Sequence, residues 1–483
     1  MEFSLPIFNI TVLYPILALV ITAIILVLWP LFIPRTSRNL LAATAIAGLL
    51  ISAWFLLQLW SKPQTGMNNM LVMDYLAISV HVALILAGAL TVLISLNRVE
   101  LEYIQYGELF GLILLALAGM MIMTSTWNLL VMFLGLEVFS LSLYVLAGIR
   151  KMRMDSVEAA LKYLLLGAFA TGFILYGMAL IYGVTGTLEL ATITSGLEAE
   201  QNTLLLYAGF LLLFVGMAFK AAFVPFHMWT PDVYQGAATP VTAFMSTATK
   251  ATALAVLIRV VGISVMVTPV PWSKIIVVIA VMTMTVGNLL ALSQKNVKRM
   301  LAYSSIAHAG YLLVGLVAFN QAGSQAILYY LFVYTMMNMG AFGVISYMGE
   351  SNQNERVDSE DYRGLGYRLP FASFCLAVFM FGLAGIPPTG GFVGKFFLFS
   401  AAVQQGYLGL VIVAVINSVI SVYYYLRLVI NLYMREGEAS APERNASPGL
   451  LLALTISVVM VLLLGVYPGL VTDWLQTAIR LWP

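Results

Sequence analysis

Charge, cysteine and histidine are what this chain lacks. Only 9% of its 483 residues are charged, and it holds one cysteine and three histidines. The single thiol, Cys375, excludes an internal disulfide and a cysteine-ligated iron-sulfur cluster. His81, His227 and His308 are too scattered for a metal-ligand spacing, so no metal site is expected. There is no G-x-G-x-x-G stretch in a strand-helix setting and no G-x-x-x-x-G-K-[ST] loop, so neither nicotinamide nor nucleotide chemistry is readable. No cofactor of its own is expected, and any work the chain does draws on a gradient or a partner. With a net charge of +2, no nucleic-acid partner is expected.

Apolar residues make up 61% of the chain, in runs of about 20 that recur along its length. The composition is that of an all-α polytopic membrane protein, with the lipid bilayer as its surroundings. The first run, Val12 to Ile33, follows an N-terminus without basic residues and is too long for a signal sequence, so it reads as a retained span. About fourteen spans are expected, near 12–33, 40–60, 74–95, 107–124, 127–148, 158–183, 203–229, 241–267, 273–293, 299–319, 325–348, 370–400, 405–432 and 448–470. With both termini outside, fifteen basic residues fall in inner loops and three (Lys62, Lys274, Arg480) in outer segments. That asymmetry follows the positive-inside rule. The five remaining cations, Lys162, Lys220, Lys250, Arg259 and Lys395, lie inside spans, and Glu137 is the one mid-span carboxylate.

Two spans read as broken. The seventh contains "KAAFVPF" and the twelfth "GLAGIPPTGGFVGK". A proline supplies no amide hydrogen, so Pro225 frees the Ala221 carbonyl, and Pro387 with Pro388 frees those of Leu383 and Ala384. Unwound backbone at membrane depth is tolerated only against protein or a water-filled cavity. The breaks are five helices apart, and an odd offset forces opposite insertion, so two inverted five-helix repeats are expected. The organisation is then a three-helix segment over 1–100, a first repeat over 107–267, a second over 273–432 and a terminal helix within 448–483.

The buried charges differ in what they suggest. Glu137 lies about ten residues from either end of its span, near the midplane. Lys220, at the first break, is its natural partner, because opposite charges stabilise each other's ionised forms. Lys250 is about ten residues deep among threonines and a serine, and Lys395 follows the Gly390-Gly391 pair at the second break. His227 in the break and His308 at a midspan position suit a proton relay, and equally a packed histidine bonded to a helix carbonyl. Lys162 reads either as a path residue or as an ion pair with Glu158, four residues earlier. Arg259 reads as structural, snorkelling to headgroups, and His81 as packing. Such a set of switchable charges suits protons.

Three stretches, "AFKAAFVPFHMWTPDVYQGAATPVTAFMSTATK", "NVKRMLAYSSIAHAGYLLVG" and "LAGIPPTGGFVGKF", make the chain resemble the N group of antiporter-like subunits of bacterial NADH-quinone oxidoreductase, respiratory complex I. The resemblance runs from about residue 10 to 475. The related L and M subunits and the cation/proton antiporters usually read "WLPDAH" where this chain reads "WTPDVY". The chain departs from the group at "GAATP", where "GAPTP" or "GAPAP" is more frequent. The resemblance implies a proton-pumping module of the membrane arm in a bacterial inner membrane, with NADH, FMN, iron-sulfur clusters and quinone in partner subunits. It places Glu137, Lys220, Lys250 and Lys395 on the group's proton path and implies M and K subunits as neighbours. A multisubunit cation/proton antiporter subunit or standalone transporter is the transport alternative, although a sodium path calls for more carboxylate oxygen than Glu137 supplies. A scaffold without transport is the other, and buried charges that each cost about 2.5–3.5 kcal/mol by insertion scales argue against it.

Overall fold

The computed structural model describes residues 9–33, 36–60, 63–97, 105–193, 203–268, 270–349, 356–437 and 446–478. Arg35, Lys62, Arg98, Arg444 and Arg480, on which part of the charge asymmetry rests, lie outside the described residues. Twelve helices among the described residues are long and apolar enough to cross a membrane. They are α1 (Tyr14–Phe32), α2 (Arg38–Leu59), α3 (Tyr75–Ser95), α4 (Tyr106–Thr124), α5 (Leu129–Ala147), α6 (Met154–Thr185), α8 (Thr203–Ala221), α10 (Thr239–Val267), α11 (Trp272–Ser293), α13 (Gln321–Met348), α17 (Leu408–Met434) and α18 (Pro448–Val466). Two further helical segments fall where the other expected spans lie. One is α12 (Val297–Leu316), made less apolar by Lys298, Arg299 and His308, and the other is divided between α15 (Pro370–Ala384) and α16 (Gly390–Gln404). Short helices lie between them: α7 (Leu190–Ile193), α9 (Trp229–Gly236), α14 (Leu365–Arg368) and, after α18, α19 (Gly469–Ala478).

The inverted repeat shows in matched details. Asn128 caps α5 and bridges to Glu189 at the end of the bundle that carries Asp74; Asn296 caps α12 and bridges to Asp358 at the opposite end. Both pairs of adjacent helices meet through glycines. A β-carbon on Gly135 would stand 2.7 Å from the Gly119 carbonyl oxygen between α4 and α5, and one on Gly287 would stand 2.7 Å from the Ala307 amide between α11 and α12. Small residues of this kind let membrane helices close backbone to backbone.

The centre of the bundle is formed by α10 and α13, which are buried without interruption over Thr239–Ser264 and Ala326–Met348. The run "TAFMSTATKATALAVL" explains how α10 fits there: its residues are mostly small, and Thr247, Thr249 and Thr252 return their hydroxyls to carbonyls one turn back. Peripheral helices instead turn large apolar side chains outward, such as Leu50 of α2, Phe169 of α6 and Val419 of α17. A two-stranded hairpin, Gln64–Gly66 with Leu71–Met73, closes the Asp74 end, where Val72 donates to the Ser125 carbonyl at 2.7 Å.

Candidate proton path

The two breaks are built alike. After α8, Ala222 adopts φ 62° and Phe223 donates back to the Ala218 carbonyl; after α15, Gly385 adopts φ 83° and Ile386 donates back to Phe381. Each is a left-handed helix terminus whose sixth residue closes onto the first. The side-chain bonds at the two termini differ. At the second break Lys395 Nζ donates to Leu383 O and Ala384 O, at 3.0 Å each, and to Ser418 Oγ at 2.9 Å. These are the two carbonyls that Pro387 and Pro388 release. At the first break the indole of Trp229, opening α9, donates at 3.0 Å to Phe219 O, which also accepts from the Ala222 amide and is not the carbonyl that Pro225 frees.

Lys220, 2% exposed, bonds no backbone carbonyl. Its Nζ donates to Ser140 Oγ at 2.8 Å and Tyr144 OH at 3.4 Å, both on α5. Glu137, one turn earlier on α5, accepts from Thr171 Oγ1 at 3.1 Å. The two charges do not form an ion pair within 4.0 Å; Ser140 intervenes, and they act on each other through space. Glu137 is half-buried, beside the outward-facing Leu134, Val138 and Leu141.

Lys250 is 1% exposed and donates to both the carbonyl and the hydroxyl of Ser305 on α12. Tyr334 OH from α13 donates to the same Ser305 Oγ at 2.8 Å. One turn along α12, the buried His308 bonds Tyr330 through Nδ1 and Tyr425 through Nε2, the latter at 2.9 Å, while Ser304 also bonds Tyr425. The neighbouring Tyr424 donates to Asn288 Oδ1 at 2.8 Å, and Asn288 donates to Tyr311 OH at 3.1 Å. The Tyr311 ring lies under Lys395 Nζ, 4.8 Å away. Buried polar groups from α10, α12, α13, α17 and α11 thus lie between Lys250 and Lys395 in three hydrogen-bonded groups that meet through ring contacts, His308 with Tyr334 at 5.2 Å and Tyr424 with Tyr425 at 4.4 Å, and His308 stands within electrostatic reach of both lysines.

Of the candidates, Lys250, His308 and Lys395 are brought together. Glu137 and Lys220 form a second cluster, and no hydrogen bond among the described residues links it to Lys250. His227 stays half-buried in the turn between α8 and α9, away from the lysines' hydrogen-bond partners. Lys162 pairs with Glu158 and with Asp232, each at 2.8 Å, and Arg299 holds the other Asp232 oxygen at 2.7 Å. Asp232 lies beyond the apolar spans; partial burial pushes its carboxyl up, but the bonds from Lys162 and Arg299 prevail and hold it below the usual carboxylate range. Arg259 departs from the snorkelling expectation. It is 1% exposed, pairs with Asp74 at 2.7 Å, donates to Thr124 O at 3.1 Å and lies over Trp127 at 4.6 Å, because α3 and the hairpin bring an acid to it. His81 likewise is bonded rather than merely packed, through Nε2 to Thr124 Oγ1 and Ser125 Oγ, both at 3.0 Å. Residues missed from the sequence are Ser305, Tyr334, Tyr425 and Tyr311. The available signal was "YSSIAHAGY", which sets two serines one turn before His308 on one helix face.

Comparison with known proteins agrees with this architecture. Residues 126–421 match the family model described as NADH:quinone oxidoreductase/Mrp antiporter, TM. NADH-quinone oxidoreductase subunit N of Trichlorobacter lovleyi is 44% identical over 98% of this chain and 97% of its own length. Subunit N 1 of Herpetosiphon aurantiacus is 39% identical over 98% and 97%. A chain of respiratory complex I from Thermus thermophilus superposes with a TM-score of 0.83 at 37% identity, covering 96% of this chain and 100% of that one. A chain of the Mrp complex from Dietzia shares the fold, with a TM-score of 0.85 at 21% identity over 97% and 96%. On the length and identity of these matches, the chain belongs to the NADH:quinone oxidoreductase/Mrp antiporter membrane family, within its NADH-quinone oxidoreductase subunit N branch.

Proposed function

We propose that the chain translocates protons as an antiporter-like subunit of an NADH-quinone oxidoreductase, driven by quinone reduction in partner subunits. The observation that carries this is the placement of two buried lysines, Lys250 and Lys395, with Ser305, His308, Asn288 and tyrosines between them in hydrogen-bonded groups that meet through ring contacts. Lysines at membrane depth are costly and mark ion or proton paths. Lys250 is the central carrier, His308 the relay and Lys395 the outward station, while Glu137 and Lys220 convey the driving charge movement to Lys250 through space. His227 stands at the mouth of the first break as a candidate entry group. Lys162, tied to Glu158 and Asp232, serves as an ion pair rather than a carrier.

In this reading residues 107–267 and 273–432 act as the two half-channels, with 1–100 and 448–483 as flanking segments. Both termini face the outer side of a bacterial inner membrane, and the NADH, FMN, iron-sulfur and quinone chemistry belongs to partner subunits. M and K subunits are the neighbours. The half-buried Glu137 on the outward face of α5 supports a neighbour there, since lipid offers a carboxylate no partner. The test is Lys250→Met in the assembled complex: proton uptake into inverted vesicles and coupled quinone reduction should fall, while NADH oxidation by an artificial acceptor, which reports assembly, stays normal. Lys250→Arg should fail likewise, because a guanidinium does not release its proton in turn. Normal pumping per electron in an assembled Lys250→Met complex would remove Lys250 from the path, and pumping that required sodium would favour cation exchange.

A further inference from the structure

Lys220 is surrounded differently from the other two lysines. Lys250 has the two Ser305 oxygens and one ring, Tyr334, at 5.6 Å; Lys395 has three oxygens and one ring, Tyr311. Lys220 Nζ has two hydroxyl oxygens and four ring faces. It lies 5.4 Å from the centroid of Phe139, 5.2 Å from Tyr144, 5.4 Å from Tyr163 and 5.9 Å from Phe219. The rings come from three helices, α5, α6 and α8, so the enclosure depends on how the helices pack and is not a local accident of one of them. A ring face attracts an ammonium through its quadrupole and offers a neutral amine no comparable attraction.

We infer that Phe139, Tyr144, Tyr163 and Phe219 form an aromatic cage that holds the Lys220 ammonium in place, with Tyr163 as its positioning residue. Tyr163 is fully buried, stands edge-on to Tyr144 at 4.8 Å, and stacks on Trp229 at 4.5 Å and 13°. Trp229 is itself fixed by its bond to the Phe219 carbonyl, beside Lys220 in the chain. The Tyr163 hydroxyl has no hydrogen-bond partner among the described residues, so the ring contributes its face and not its oxygen. The cage gives the cation a seat that does not require Glu137 in contact, which lets the carboxylate act from a distance. The inference rests on the proposed role of Lys220 in proton translocation.

The experiment is a graded change of the face at constant shape, read in the assembled complex as protons pumped per electron into inverted vesicles. Tyr163→Phe should pump normally. Phenylalanines carrying one, two and three ring fluorines at position 163 should lower pumping stepwise, reaching a roughly three- to tenfold loss, as expected for weakening one cation–π contact. Tyr163→Leu should show a loss at least as large, with artificial-acceptor NADH oxidation unchanged. A merely structural ring would not follow fluorination. Equal pumping across the fluorine series, or a loss in Tyr163→Phe as deep as in Tyr163→Leu, would overturn the cage. Full pumping by a Lys220→Met complex would instead remove the role for Lys220 on which the cage depends.

Discussion

Replacing Lys395 by methionine should loosen α15 as well as remove an amine. The amine donates to Leu383 O and Ala384 O, both in the last turn of α15, where the following prolines supply no amide to reach them. Ser418 Oγ also donates to Ala384 O, at 3.3 Å, so loss of the amine orphans one carbonyl outright, that of Leu383. A buried acceptor left unpaired costs about 1–3 kcal/mol, which is about 5- to 150-fold in an opening equilibrium. Cys375, the one cysteine of the chain, is buried in α15 itself and reports that opening directly. In the purified chain, a membrane-permeant maleimide should label Cys375 faster by that factor in Lys395→Met, and faster still when Ser418→Ala orphans Ala384 O as well. Lys250→Met is the control. Its amine bonds Ser305, whose carbonyl lies inside the continuous helix α12 and keeps a backbone partner there, so labelling should stay near the unsubstituted rate. Equal labelling of Lys395→Met and the unsubstituted chain would refute the carbonyl tether and leave Lys395 with a chemical role alone.

Asp74→Asn retains the cap on Ala77 N, at 2.8 Å, but strips the counter-charge from a fully buried Arg259, which should destabilise the chain by about 3–5 kcal/mol. Adding Arg259→Met removes the stranded charge and should restore most of the thermal stability; a double variant no more stable than the single one would contradict this. For orientation, in a cysteine-free background, Tyr367→Cys, at a position 78% exposed, should react with an impermeant thiol reagent only in inverted vesicles, and Gln321→Cys, exposed at the start of α13, only in spheroplasts. The reverse pattern would invert the proposed topology.

Periodicity and proline placement made the spans, the two breaks and the inverted repeat legible, because each is a local consequence of chain composition. The Lys395 tether was half legible: Pro387 and Pro388 named the carbonyls that would be free, but not the group that would take them. Contacts formed across helices were not legible. Nothing near Arg259 in the sequence announces Asp74, 185 positions away, so the arginine read as a headgroup anchor. The tyrosines around His308 come from α13 and α17, and an apolar helix with an occasional tyrosine reads as ordinary packing until a neighbour supplies the acceptor. The expected Glu137 and Lys220 pairing is not a direct ion pair in the structure, since Ser140 and Tyr144 of α5 take the lysine's hydrogens and Thr171 bonds the carboxylate.

The contrast between the two breaks bears on which lysine can switch. A group that changes its proton during turnover must do so without unfolding the helix that holds it. Lys395 holds the end of α15 by its hydrogens, and a neutral amine, with one hydrogen fewer to donate, would serve Leu383 O, Ala384 O and Ser418 less completely. At the first break Lys220 holds no carbonyl; Trp229 adds a bond to Phe219 O, which already accepts from the Ala222 amide. Lys220 bonds two hydroxyls, so a neutral amine there would leave no carbonyl bare, although it would lose the attraction of the ring faces for the ammonium. The same turn, built twice, thus sets Lys395 on backbone carbonyls and Lys220 on hydroxyls and rings, so a proton leaving Lys395 would loosen the end of α15 while one leaving Lys220 would not.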